Sequence, residues 1–231
     1  MKNCSIDVVI LANSCTPKLR EITQVAIDSL HASSAKHTFS VLVMETHQDC
    51  QGRPAVFYTG ANSLPVGLPF NFNAAVNQGL QYCKKDYVLV CNNDIIFGYN
   101  FFEAMLAVDG WDSCSAWNGL DVSRMADLKD KIEEGYDILH WGAWAVCFKR
   151  ATLDKLGKWD ESFDFYSQDD DIKFREKKLG LKHVYIGTAR IDHLHKKTVM
   201  ALHDKEWEQD KLTEGQNICY NIYGKTVFKG D

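Results

Sequence analysis

Apolar residues fall into two rhythms along this chain. Residues 6–12 (IDVVILA), 39–44 (FSVLVM) and 87–91 (YVLVC) are near-continuous apolar runs rich in β-branched side chains. Runs of that length read as strands buried on both faces. Between them the apolar positions return every three or four residues. Leu19, Ile22, Val25, Ala26 and Leu30 predict a helix to about Ala32, with Thr16 as its cap and Pro17 in its first turn. Phe72, Ala75, Val76, Gly79 and Leu80 predict a second helix over 71–83. Residues 55–59 are expected to form another strand, and the stretch punctuated by Gly60, Pro65, Gly67 and Pro69 to be irregular. Further on, the pattern predicts helices at 100–108, 125–134, 150–156, 167–179 and 203–212, and strands at 141–148 and 182–186. Ser167 reads as an N-cap and Gly180 as a helix stop. Strand, crossover helix and strand in this order predict the α/β class: one Rossmann-like mixed sheet, mainly parallel, flanked by helices.

The run at 87–91 leads straight into Asn92, Asn93 and Asp94. In open α/β sheets ligands bind outside the carboxyl ends of the strands, so this triplet stands where chemistry is expected. Asn and Asp are also ordinary turn formers.

Composition narrows the classes. With 231 residues, 45% apolar and 25% charged, the chain is an ordinary globular protein able to bury a substantial core. A net charge of -5 argues against an enzyme that clamps a long phosphate backbone with its whole surface. Residues 173–231 nevertheless carry more basic than acidic groups, together with His183, His193, His195 and His203, which makes this quarter the place to look for an anionic contact. The eight cysteines form no CxxC pair and are expected to be reduced and structural. No apolar run approaches the roughly 20 residues of a membrane helix. Asp7 interrupts what would be a poor signal peptide, so a cytoplasmic location is expected.

Two blocks carry a family likeness. PFNFNAAVNQGL, followed by the strand and CNNDIIF, resembles family 2 glycosyltransferases of the GT-A fold through Asn71, Phe72, Ala75, Asn77, Gly79 and the strand-ending Asn-Asn-Asp. GKWDESFDFYSQDDDIKFREKKLG is similar to the same family's second signature through Gly157, Trp159, Asp160, Glu161, Phe163, Asp169, Asp171, Ile172, Arg175 and Gly180. The likeness spans roughly residues 5–200. It departs from the family in lacking a doubly acidic strand end, in having Gln168 where glutamate is usual, and in lacking a proline and aromatic in the first loop.

The resemblance implies a single GT-A domain over 1–231, with a nucleotide-sugar-binding half at 1–98, an acceptor and catalytic half at 99–200, and a helical tail at 201–231. It implies an inverting, metal-dependent transfer of a sugar from a UDP-linked donor to an acceptor hydroxyl, most commonly on a glycan. Asp94 and His193 would ligate Mn²⁺ or Mg²⁺, with His195 as the other choice. Ala12, Asn13, Ser14, Glu45, Asn71, Asn73, Asn77, Asn92, Asn93 and Lys196 or Lys197 would contact the donor. Asp169 would be the general base, and Trp141, Trp144 and Asp170 would meet the acceptor. The chemistry suits these residue types, because a diphosphate leaving group calls for a cation on hard oxygen ligands and an attacking hydroxyl calls for a base. Plainer readings stand beside these. Acids in a first helical turn answer the helix dipole, Asn13 suits a turn, Glu45 suits a solvated strand end, His-x-His suits an exposed strand, and one of the two tryptophans is expected to be core. The rival functions are a transferase acting on hydroxylated bases in DNA and a non-catalytic sugar-nucleotide-binding protein. A nucleotidyltransferase lacks support, since ANSCTPK holds no glycine cluster.

Overall fold

The computed structural model describes residues 3–67, 69–121, 125–136, 140–194, 200 and 202–224. Among the described residues, nine strands form one mixed sheet: β1 (Ser5–Ala12), β2 (Thr38–Glu45), β3 (Asn62–Pro65), β4 (Tyr87–Asn92), β5 (Ile95–Phe97), β6 (Ser113–Asn118), β7 (Ile132–Glu134), β8 (Ala145–Lys149) and β9 (His183–His193). Their order is β3-β2-β1-β4-β8-β6-β9-β5, with β7 pairing β9. The helices are α1 (Pro17–Ala32), α2 (Phe72–Leu80), α3 (Phe101–Leu106), α4 (Arg150–Leu156), α5 (Gln168–Lys178) and α6 (Lys205–Tyr223).

The continuous apolar runs are explained by burial on both faces. Along β1, Val8 and Ile10 enter a core shared with Ile27 and Leu30 of α1 and with Phe101 of α3, while Val9 and Leu11 enter another shared with Ala75 of α2, Leu153 of α4 and Ile172 of α5. Successive side chains of a strand point to opposite faces, so each face needs its own apolar set. Thr16 caps α1 by accepting the Leu19 N–H, and Asn71 caps α2 by accepting the Ala74 N–H. Gly79 lets α2 press on the sheet, for a Cβ there would stand 2.8 Å from Val9 Cγ1.

Pairing sets the geometry of the site. β1 runs parallel to β2 and β4, in a register that puts Ala12 beside Glu45 and Leu11 beside Asn92. β8 runs antiparallel to β4, so its first residue, Ala145, pairs with Cys91. β6 and β9 are parallel and end at Asn118 and His193, and β5 runs back along β9 with Ile95 opposite His193. The ends of β1, β2, β4, β6 and β9 and the starts of β5 and β8 therefore meet at one edge.

Several predicted elements are corrected. Residues 55–59 form no strand, and β3 lies instead at 62–65 beside β2. Pro65 is tolerated there because an edge strand has one side with no ladder to complete. Residues 125–134 are not a long helix: a 3₁₀ turn at Ala126–Leu128 precedes β7, which pairs with β9. The strand expected at 141–148 begins only at Ala145 and runs to Lys149, and the strand expected at 182–186 extends to His193. Ser167 precedes α5 in a left-handed conformation, φ 63°, and its side chain makes no cap hydrogen bond.

Candidate active site

Asp94 and His193 come together where β4, β5 and β9 meet. Asp94 Oδ1 lies 3.2 Å from His193 Nε2, and both side chains are nearly buried. The Asn92 amide reaches the same imidazole nitrogen at 3.3 Å. Backbone bonds fix the pair: the Leu194 N–H donates to the Asp94 carbonyl at 2.8 Å, and the His193 N–H donates to Asn118 Oδ1 at 3.1 Å. Trp144 stacks on the His193 ring, centroid to centroid 5.8 Å. A carboxylate oxygen and an imidazole nitrogen converge here, and the carboxylate is a hard ligand of the kind Mn²⁺ and Mg²⁺ take. Among the described residues no group of three or more His, Cys, Asp or Glu side chains could hold a metal. Mn²⁺ and Mg²⁺ commonly complete their shells with phosphate oxygens and water.

A pocket beside this pair is lined by Asn92 from the end of β4, by Phe72, Trp141 and Trp159, and by Gln168 and Asp169 from the first turn of α5. Asp169 is partly exposed, with its side chain at 30%, and the buried Gln168 Oε1 accepts no hydrogen bond. A carboxylate on α5 thus shares with the polar end of β4 a pocket walled by aromatic rings.

Other predicted ligands are engaged within the protein. Glu45 is fully buried rather than a solvated strand end. It accepts the Ser14 N–H at 3.0 Å, the His47 N–H at 2.9 Å and the Tyr58 hydroxyl at 2.9 Å. Burial, reinforced by the Glu45 carboxylate and opposed by the Ser14 hydrogen bond, pushes the Tyr58 hydroxyl above its usual range. The Ser14 hydroxyl contacts Tyr58 as well, so Ser14 and Glu45 shape the loop after β1 from behind. Ala12 is buried at the end of β1. Asn13 differs, since its buried Oδ1 accepts no hydrogen bond.

Asn71, which caps α2, and Asn73 and Asn77 within it are struts. Asn71 donates to the Glu161 carbonyl at 2.8 Å and Asn73 to the Asp160 carbonyl at 2.6 Å. The Asn77 amide donates to the Trp159 carbonyl and to Glu161 Oε1 and accepts the Trp159 N–H, all at 2.8 to 2.9 Å. The two sequence blocks that looked like separate signatures are thereby bonded to each other. Asn93 also turns inward, donating to Thr23 Oγ1 of α1 at 3.0 Å. Asp170 is buried against Lys173 at 3.1 Å, which removes it from acceptor contact. Trp141 is 2% exposed and donates its indole N–H to Glu176 Oε2 at 2.9 Å, so it is the core member of the tryptophan pair. His195, Lys196 and Lys197 lie outside the described residues.

Sequence reasoning missed the layer behind the pocket. Lys173 is buried beneath Asp169 and Asp170, and its spacing of four and three residues from two acids on a helix was the available signal. Burial pulls its ammonium down, but the two carboxylates outweigh that and hold its pKa above the ordinary value. Glu176, one turn on, is raised to about 7 by burial. Against it at 3.9 Å lies His183, lowered to about 3 by burial.

No protein-family model matches the sequence, and no curated protein matches it either. Among solved structures, the chain superposes on GalNAc-T7, whose crystal structure was determined with UDP, GalNAc and Mn²⁺. The TM-score is 0.65 at 9% sequence identity, over 95% of this chain and 48% of that one. The chain thus spans about half the length of that protein. At this identity the likeness establishes the fold, a mixed α/β sheet flanked by helices that matches a GT-A glycosyltransferase.

Proposed function

We propose that this protein is an inverting glycosyltransferase that moves a sugar from a UDP-linked donor to an acceptor hydroxyl, with a glycan as the acceptor class. The observation that carries this reading is the convergence, at one sheet edge, of the Asp94–His193 pair with a pocket shared by Asn92 and Asp169. A GT-A fold and a solved neighbour holding UDP and Mn²⁺ support the donor and the cation. The cytoplasm is the proposed location.

Asp94 and His193 would hold Mn²⁺ or Mg²⁺, which when bound stabilises negative charge on a departing diphosphate. Asn13 Oδ1 is a vacant acceptor for an N–H or hydroxyl of the nucleoside. Asp169 accepts the proton of the attacking hydroxyl as its oxygen bonds to the anomeric carbon and the bond to the diphosphate oxygen breaks. Gln168 Oε1 lies in the same pocket as a second acceptor to orient that hydroxyl. Phe72, Trp141 and Trp159 keep the pocket wall apolar, which strengthens each charge interaction inside it.

The test is release of UDP from a panel of UDP-linked sugars, with and without Mn²⁺. Metal-dependent turnover of one donor is expected in the wild type. It should be lost in Asp94→Ala and reduced by about 10²- to 10⁴-fold in Asp169→Asn. Donor binding with no turnover under any condition would instead favour a sugar-nucleotide-binding protein.

A further inference from the structure

Lys173 is an unusual residue to find under a general base. Its side chain is 2% exposed, and a buried ammonium persists only where opposite charge and hydrogen bonds compensate for lost water. Here Nζ lies 3.1 Å from Asp170 Oδ1 and 3.4 Å from Asp169 Oδ2, and rests over the Trp141 ring at 5.5 Å. That ring is itself pinned by its indole N–H to Glu176. An ammonium has three donors, and both carboxylates serve them. The contact to Asp169 also ties Lys173 to the carboxylate that lines the pocket.

We infer that Lys173 is a positioning residue for sugar transfer: its ammonium holds Oδ2 of Asp169 and so orients that carboxylate, leaving its other oxygen to the pocket shared with Asn92. This inference rests on Asp169 being the base. Among the described residues, Asp169 Oδ1 makes no hydrogen bond, consistent with an oxygen kept for substrate. Among the described residues, these charged and titratable groups lie around Asp169. Asp170, Asp171 and Lys173 share its helix, Asp171 being paired with Arg175 at 2.7 Å. Cys91 of β4 borders the pocket, while its side chain packs with Val8 and Ile10 on the other sheet face, where burial pushes the thiol up. Cys219 of α6 is raised to about 12 by burial and by the aspartates. Lys173 is the cation among them in contact with Asp169.

The experiment compares wild type, Lys173→Met, Lys173→Arg, Asp169→Asn and the double variant Asp169→Asn/Lys173→Met, using the UDP-sugar that turns over in the panel. Lys173→Met is expected to lower kcat by about 10- to 100-fold with donor KM within about twofold. Lys173→Arg, which keeps the charge and the stacking, should restore kcat to within about threefold. In the Asp169→Asn background, Lys173→Met should cost nothing more. A loss that repeats in full in that background, or no loss in Lys173→Met, overturns the inference. If Lys173→Met does not fold, the Arg variant decides alone: a kcat fall as deep as that of Asp169→Asn, in a folded protein, overturns it. Wild-type turnover in Asp169→Asn, or no turnover of any donor by the wild type, overturns the reading of the base first and this inference with it.

Discussion

Asn77 engages both ends of its amide with the segment at 159–161. Replacing it with alanine leaves the Trp159 N–H and carbonyl without partners in a largely buried place. Such a loss is expected to cost about 2–3 kcal/mol, read from urea midpoints at unchanged m-value. Asn71→Ala removes a bond in a more exposed place as well as a helix cap, and should cost about 1 kcal/mol. If both variants behaved like neutral surface changes, the strut role would fail. The contrast with Asn92 is instructive. Both are asparagines inside a family-like block, but Asn77 faces a neighbouring segment while Asn92 faces a pocket and an imidazole. Residue type alone carries no sign of that difference, because an amide serves a backbone and a ligand with the same two groups.

At the scale of elements, α5 is joined to the sheet by two groups with opposed titrations. Glu176 is raised from an ordinary 4.5 to about 7, so the stability it contributes is complete below about 4.5 and lost as pH rises through 7. His183 on β9 is lowered from 6.5 to about 3, so its contribution is complete above 6.5 and lost as pH falls toward 3. Between 4.5 and 6.5 the two slopes oppose, and the wild type should be nearly flat there. Glu176→Gln removes one of them. Its stability is then expected to climb with pH by up to about 1.4 kcal/mol per unit across that window, measured by urea unfolding at fixed pH values. Just ahead of α5, Ser167 holds φ 63° without a side-chain cap bond. Ser167→Gly should therefore gain up to about 1 kcal/mol, and thermal melting would show a decrease if the strain argument were wrong. Elements were legible in the sequence where local pattern and tertiary need agreed. β1 and β4, and the second half of β2, are largely apolar because both faces are covered there, and α1 and α2 show caps and a stripe. β6, SCSAWN, is wholly buried, yet its serines and asparagine hide it from any apolar count. The strand at 132–134 exists only because β9 lies alongside, and charged residues in that stretch favour helix when read alone.

For the molecule as a whole, the sheet order was legible only where α1 joins the parallel strands β1 and β2, since β3 lies in a stretch expected to be irregular. Beyond β4 the neighbours are set by antiparallel returns that no local pattern announces. The site inherits that division. Asp94 could be read from a strand end and Asp169 from a family-like block, whereas the Lys173, Glu176 and His183 layer arises only once α5 lies on the sheet. Binding at this edge should stabilise the entire fold. UDP with Mn²⁺ at about 100 times its dissociation constant is expected to add about 2.7 kcal/mol, seen as a rise in melting temperature. Asp94→Ala should abolish the Mn²⁺-dependent part, and a rise unaffected by that change would place the ligand elsewhere. Asn92 and His193 touch across 101 positions of chain, which bears on how the protein is made. Contacts this distant in sequence favour slow folding. At about 5–20 residues per second of synthesis, Asp94 waits on the order of 5–20 s for its histidine to be added. A nascent chain that has not yet made β9 holds only half of the proposed cation grip, so competence arrives late in translation rather than growing with length.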